Sequence, residues 1–153
     1  MSFWIASAER TLSEDIPAPP DQVRDFYVDL DNIKVVHPLV VSVQTISRSD
    51  SAAGHRQTYR VRDRIPLGPL SLRITYWASV EVPVDGDVIT EARQFPRVRL
   101  NGVVAFEPIA SGTRLTERLR ISAPRPLASM TEREAVDAHA AMLAGIRSHF
   151  ETR

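Results

Sequence analysis

The spacing of apolar residues along this chain changes twice, from helical to alternating and back to helical. Val23, Phe26, Tyr27 and Leu30 recur at i, i+3, i+4 and i+7, which predicts one apolar stripe on a short helix. The segment Ile16-Pro17-Ala18-Pro19-Pro20-Asp21 leads into it. Pro19 and Pro20 suit a first turn, where no amide partner is lost, and Asp21 suits the positive end of the helix dipole. A second helical turn, Asp31 to Val36, carries Ile33 and Val36 and must stop before Pro38, because a residue preceding proline is pushed out of the helical region. Ahead of both, Glu9 to Ile16 predicts a first strand.

From Leu39 the period is two, with Val41, Val43 and Thr45 alternating with polar neighbours before a predicted loop, 47–54. Strands follow at His55–Ile65, Leu70–Val82, Val88–Phe95, Val98–Glu107 and Thr113–Ala123. Pro66-Leu67-Gly68-Pro69, Asp85-Gly86-Asp87, Pro96 and Pro108 to Gly112 separate them. Links this short cannot hold crossover helices, so the sheet is antiparallel. The last segment returns to helical spacing. Ser129-Met130-Thr131-Glu132 has the form of a capping box, and Ala135, His139, Met142, Leu143, Ile146 and Phe150 share one face of a helix running almost to Arg153. That helix is the large element left to cover the apolar face of the sheet. A curved sheet closed over one helix tends to enclose a cavity, which points to a small apolar ligand.

Composition narrows the function classes. The 153 residues suit a single domain with a real core, and 43% hydrophobic with 25% charged residues is ordinary for a soluble globular protein. Nineteen basic and nineteen acidic residues balance, so no net charge draws the chain to nucleic acid or anionic membrane. The absence of cysteine excludes disulfides, thiol catalysis and thiolate metal sites. The four histidines are scattered without ligand spacing, so neither metal nor other cofactor is expected. The opening Met1 to Ala8 lacks a basic leader and no stretch approaches spanning length, so a cytoplasmic protein without membrane insertion, monomeric or homodimeric, is expected.

Three pieces carry a resemblance: Ile16-Pro17-Ala18-Pro19-Pro20-Asp21-Gln22-Val23, His37-Pro38-Leu39-Val40, and Phe106-Glu107-Pro108 to Gly112-Thr113-Arg114-Leu115. With the element order, they resemble the START-like or SRPBCC superfamily, in its polyketide cyclase/dehydrase-like branch. The resemblance implies an α+β helix-grip fold over residues 1–153: a seven-stranded curved antiparallel sheet around a long C-terminal helix, with two short helices after strand 1. It also implies a deep cavity of the kind different members use for lipids, sterols, polyketides or hormones.

Strand parity selects the residues facing that cavity. Gln57, Tyr59, Val61, Asp63 and Ile65 oppose a column holding Arg56, Arg60, Arg62 and Arg64, which must be the solvated side because buried unpaired guanidinium groups are prohibitively costly. Leu70, Leu72, Ile74, Tyr76, Ala78 and Val80 face in, as do Leu100, Gly102, Val104 and Phe106. On the seventh strand Leu115, Glu117, Leu119 and Ile121 face in. Glu117 is thus a carboxyl on an apolar face, where desolvation favours a general acid or base near neutrality. A bulge that turns it outward, or a quiet pairing with an Arg, is the bland alternative. His139 shares the inner stripe of the terminal helix with Met142 and Leu143, and serves either as a packing residue or as a proton shuttle facing Glu117. Tyr59, Tyr76 and Asp63 are weaker candidates, and His37 reads as a loop histidine. The outer arginines read as a solvated face paired with Glu81, Glu91 and Glu107.

The leading expectation is a protein that binds a hydrophobic small molecule (lipid, isoprenoid or polyketide-like) between sheet and helix. Ala135, Ala138, Ala141, Ala144 and Gly145 favour it by leaving volume unfilled. The alternative is a polyketide cyclase or aromatase-like enzyme in which Glu117 and His139 move protons. A third class, an interaction module with a filled core, would have no cavity.

Overall fold

A computed structural model of the protein describes residues 4–152; Met1 to Phe3 and Arg153 lie outside the described residues. The elements follow the order β1 (Ile5–Ile16), α1 (Pro20–Val28), α2 (Leu30–Val36), β2 (Val40–Ser51), β3 (Gly54–Leu67), β4 (Leu70–Pro83), β5 (Val88–Gln94), β6 (Val98–Ile109), β7 (Gly112–Pro124) and α3 (Arg125–Glu151). The strands form one sheet in the order β1-β7-β6-β5-β4-β3-β2, antiparallel at each pairing. This is the α+β helix-grip fold. The two short helices carry the chain from one edge of the sheet to the other, and α3 lies against β1, β7 and α2. Among the described residues no helix packs closely on β3 to β5, and the apolar inner face there is left to bound a cavity.

The boundaries depart from the sequence pattern where backbone pairing outweighs side-chain alternation. β1 begins at Ile5 rather than Glu9, because its whole length pairs with β7, from Ile5 opposite Pro124 to Ile16 opposite Thr113. The polar stretch expected as a loop over 47–54 continues β2 to Ser51, with register shifts between Val40 and Ser42 and between Thr45 and Ser47. Exposed edge strands need no apolar alternation to pair. α3 begins at Arg125, four residues before the expected capping box, with Pro124 at its N-cap and Pro126 in the first turn, so Ser129 lies inside the helix. Asp29 ends α1, and its carboxylate accepts the Asp31 amide at 3.0 Å, which starts α2 at Leu30.

The parity argument holds in β7. Leu115, Glu117, Leu119 and Ile121 are 0–3% exposed, while Arg114, Arg118 and Arg120 reach solvent. Two expectations need correction. Glu91 pairs with Arg93 at 2.6 Å, Arg118 with Asp87 and Arg120 with Glu9, whereas Arg62 and Arg64 make no ion pair among the described residues. The outer arginines are therefore not generally matched to Glu81, Glu91 and Glu107. Of the small residues on α3, Ala141 and Ala144 face solvent. Gly145 serves close packing instead: a Cβ there would meet the Val36 Cβ at 3.0 Å, so glycine lets α3 approach α2.

Candidate functional site

Between α3 and the inner faces of β3 to β5 lies a cavity of about 660 Å³. Its walls are mainly aliphatic, with Ile33, Val43, Val61, Ile74, Val80, Leu100, Ile121 and Met142 contributing, and Ala135 and Ala138 on α3 leave room. The filled-core class of protein is therefore excluded. The polar lining includes His37 after α2, Asp63 on β3, Tyr76 on β4 and His139 on α3, together with Thr90, Gln94, Arg73, Arg99, Thr131 and Glu134. Tyr27 of α1 also reaches it and connects to Glu117.

Glu117 is the hub beneath the wall. Its side chain is 1% exposed. Its Oε1 lies 3.0 Å from His139 Nδ1, and its Oε2 accepts the Tyr27 hydroxyl. Helix α1 places Tyr27 on the stripe that packs on β6 and β7, where its ring meets Phe106 edge-on with centroids 5.7 Å apart. With Nδ1 committed to the carboxylate, Nε2 is the nitrogen His139 has left for the cavity. Burial opposes charge on His139, but the charge and hydrogen bond of Glu117, with Asp63 beyond, outweigh it and raise its pKa above 6.5. Burial and the charge of Glu117 together push the Tyr27 phenol well above its ordinary range, so it remains a donor.

His37 is held in the opposite state. Burial, then the charge of His139, depresses it to about 4. The Leu39 amide donates to His37 Nδ1 at 3.2 Å, so the neutral ring carries its proton on Nε2 and acts as a donor. The two imidazoles stand edge to face, with centroids 5.8 Å apart. The environments of the two histidines thus push their pKa values in opposite directions, the pattern by which acid and base roles separate. Asp63 on β3 and Tyr76 on the neighbouring β4 influence each other's ionisation. Burial raises Asp63 to about 6, and burial with the Asp63 charge raises Tyr76.

Among the residues the sequence singled out, Asp63, Ile74, Tyr76, His139 and Met142 line the cavity. Val104, Glu117, Leu119 and Leu143 are buried outside its surface, and Phe106 is partly buried against the core. These residues sit near α1 and α3, whose side chains occupy the space. Tyr59 is 2% exposed and donates to Gln57 at 2.9 Å. Sequence reasoning set His37 aside and read Tyr27 only as part of an apolar stripe. The available signal for Tyr27 was the polar tip of a residue on a buried stripe, which must find a partner; His37 carried none, because its place depends on how α2 meets β2 and α3. Among the described residues, no three His, Asp or Glu side chains gather in a metal-binding group, and no helix is long and apolar enough to cross a membrane.

Residues 7–151 match the family model described as polyketide cyclase / dehydrase and lipid transport. No curated protein sequence matches the chain. Solved structures of similar fold include TTHA0849 from Thermus thermophilus, 20% identical over 97% of both chains with a TM-score of 0.71. The Zhui aromatase/cyclase of Streptomyces sp. R1128 is 15% identical, covers 97% of this chain and 95% of its own, and has a TM-score of 0.71. The di-domain aromatase/cyclase StfQ of the steffimycin biosynthetic pathway is 13% identical with a TM-score of 0.74; the match covers 98% of this chain but 52% of StfQ. At these identities the likeness is one of fold.

Proposed function

Because this chain belongs to the family of polyketide cyclases, dehydrases and lipid-transport proteins, we propose that it binds an apolar small molecule in the cavity between β3–β5 and α3. The observation that carries this reading is a cavity of about 660 Å³ with a largely aliphatic wall, into which polar side chains such as His37, Tyr76 and His139 also reach. That size suits a small organic ligand, and a few placed polar groups are what fix a ligand's orientation. Covering about 200 Å² of apolar surface is worth about 5 kcal/mol before the cost of lost ligand freedom. Denaturing extraction followed by mass spectrometry, with titration of the neutral dye Nile red, tests it. A co-purified apolar compound or saturable dye binding is expected; finding neither would overturn the reading.

A second reading, proton transfer on the bound molecule, is favoured by the His139–Glu117–Tyr27 chain. Glu117 fixes the ring of His139 and stabilises its protonated form. His139 Nε2 would take a proton from the carbon next to a ligand carbonyl, or return one to a departing oxygen. The His37 Nε2–H would donate to the carbonyl oxygen as charge develops there. Deuterium exchange into 2-tetralone, followed by NMR, tests this: exchange above the buffer rate that falls at least about tenfold in His139→Asn is expected. Exchange unchanged by that substitution would retire the reading.

A further inference from the structure

The sheet is incomplete beside the cavity. Strand β4 pairs with β3 from Leu70 to Pro83, but with β5 only from Trp77 to Glu81. The β5–β6 turn ends the neighbouring hairpin just past Trp77, so among the described residues 70–76 have no strand partner on that side. The cavity opens along this free edge. Arg73 on β4 and Arg99 on β6 therefore line it, although each alternates with inward residues. Charge at this mouth is one-sided. Arg73 and Arg99 are exposed, and their side chains make no ion pair or hydrogen bond among the described residues. Arg64, equally unpaired, stands directly opposite Arg73 on β3, where like charges cost stability. The acids lining the cavity are placed differently: Asp63 is on the inward column of β3, Glu134 faces in from α3, and Glu91 is bonded to Arg93 at 2.6 Å. The cation inside, His139, is already matched by Glu117 at 3.0 Å. An anion thus meets free positive charge at the mouth and repulsion further in.

Resting on the reading that the cavity holds an apolar ligand, we propose that this ligand is an amphipathic anion. Its apolar body lies inside, and its carboxylate or phosphate head lies at the mouth between Arg73 and Arg99. Guanidinium groups suit either head, because their forked N–H donors match two anionic oxygens. The head also offsets the repulsion between Arg64 and Arg73. Leu72 of β4 and Phe95 of the β5–β6 turn border the same opening and are 48% and 91% exposed. The part of the body next to the head thus meets apolar side chains that are otherwise left to water.

The test is displacement of Nile red at pH 8 by decanoate, decyl phosphate, 1-decanol and decyltrimethylammonium, which share one chain and differ in the head. Each is kept below its micelle concentration. At least one anion should bind at least about fivefold tighter than the cation. Arg73→Gln and Arg99→Gln combined should weaken that anion at least about tenfold and leave decanol within about twofold. Arg118→Gln removes one of the same charges beside Asp87, away from the mouth, and should leave the anion within about twofold. Raising the salt from about 0.02 to about 0.5 M should weaken the anion and not decanol, because screening acts on exposed charges. Arg73→Gln should not lower the urea midpoint, since it relieves the repulsion with Arg64. If the double substitution leaves anion affinity unchanged, or the cation competes as well as the anions, the assignment is overturned while the cavity reading stands. If the dye itself fails to bind, the cavity reading falls and takes this assignment with it.

Discussion

Replacing Asp63 with asparagine should change the pH dependence of folding in a direction opposite to that of most carboxylates. The folded chain holds this proton to about pH 6, against a reference value of 3.8, because burial penalises the charged form. An unfolded chain releases the proton earlier. Folding therefore binds a proton between these values, and stability falls as pH rises through that window. The shift of about 2 pH units corresponds to about 3 kcal/mol in full, of which about 2 kcal/mol should be lost between pH 4 and pH 7. The amide introduced by the substitution does not titrate, so whatever it gains or loses is a constant offset that does not vary with pH. The quantity to measure is thus the stability difference between Asp63→Asn and the parent, by urea unfolding at several values from pH 4 to pH 8. It should move in favour of the variant by about 2 kcal/mol and level off near pH 7. A flat difference would show that Asp63 has an ordinary pKa in the folded protein and would refute the reasoning from its burial.

The histidines should titrate apart in NMR spectra, His139 above 6.5 and His37 near 4. The charged form of His139 then stabilises the fold below pH 6.5, a contribution lost as pH rises through its folded pKa, whereas keeping His37 neutral costs stability as pH falls from 6.5 toward 4. Glu117→Gln should lower the His139 midpoint; coincident titrations in the parent would contradict the separation. Tyr27→Phe removes one of the two donors to the buried Glu117 carboxyl and should destabilise by about 1–3 kcal/mol in denaturant unfolding. Ala138→Phe should block Nile red binding while far-UV circular dichroism stays unchanged, since Ala138 lines the cavity from α3; undiminished binding would place the ligand elsewhere. Gly145→Val should cost about 1–3 kcal/mol by forcing α3 away from Val36.

Local chemistry alone determined most of this architecture. The prolines before Asp21, the period of two from Leu39 onward and the stripe from Ala135 to Phe150 fixed the number, type and order of elements, because each pattern has one secondary structure that buries its apolar side. Parity alone turned Glu117 inward, since Leu115 and Leu119 share its face and cannot be given to solvent. Boundaries escaped where partners from distant sequence decide them. β1 extends to Ile5 because β7 is there to pair with it, and β2 persists through a polar stretch because β3 supplies the hydrogen bonds. The polar cluster was the least legible part. Tyr27, His37, Asp63, Glu117 and His139 come from α1, the turn after α2, β3, β7 and α3, and no spacing in the sequence relates them. What brings them together is the seating of three helices on one curved sheet. That seating decides which inward residues are packed away beneath α1 and α3 and which are left facing open space.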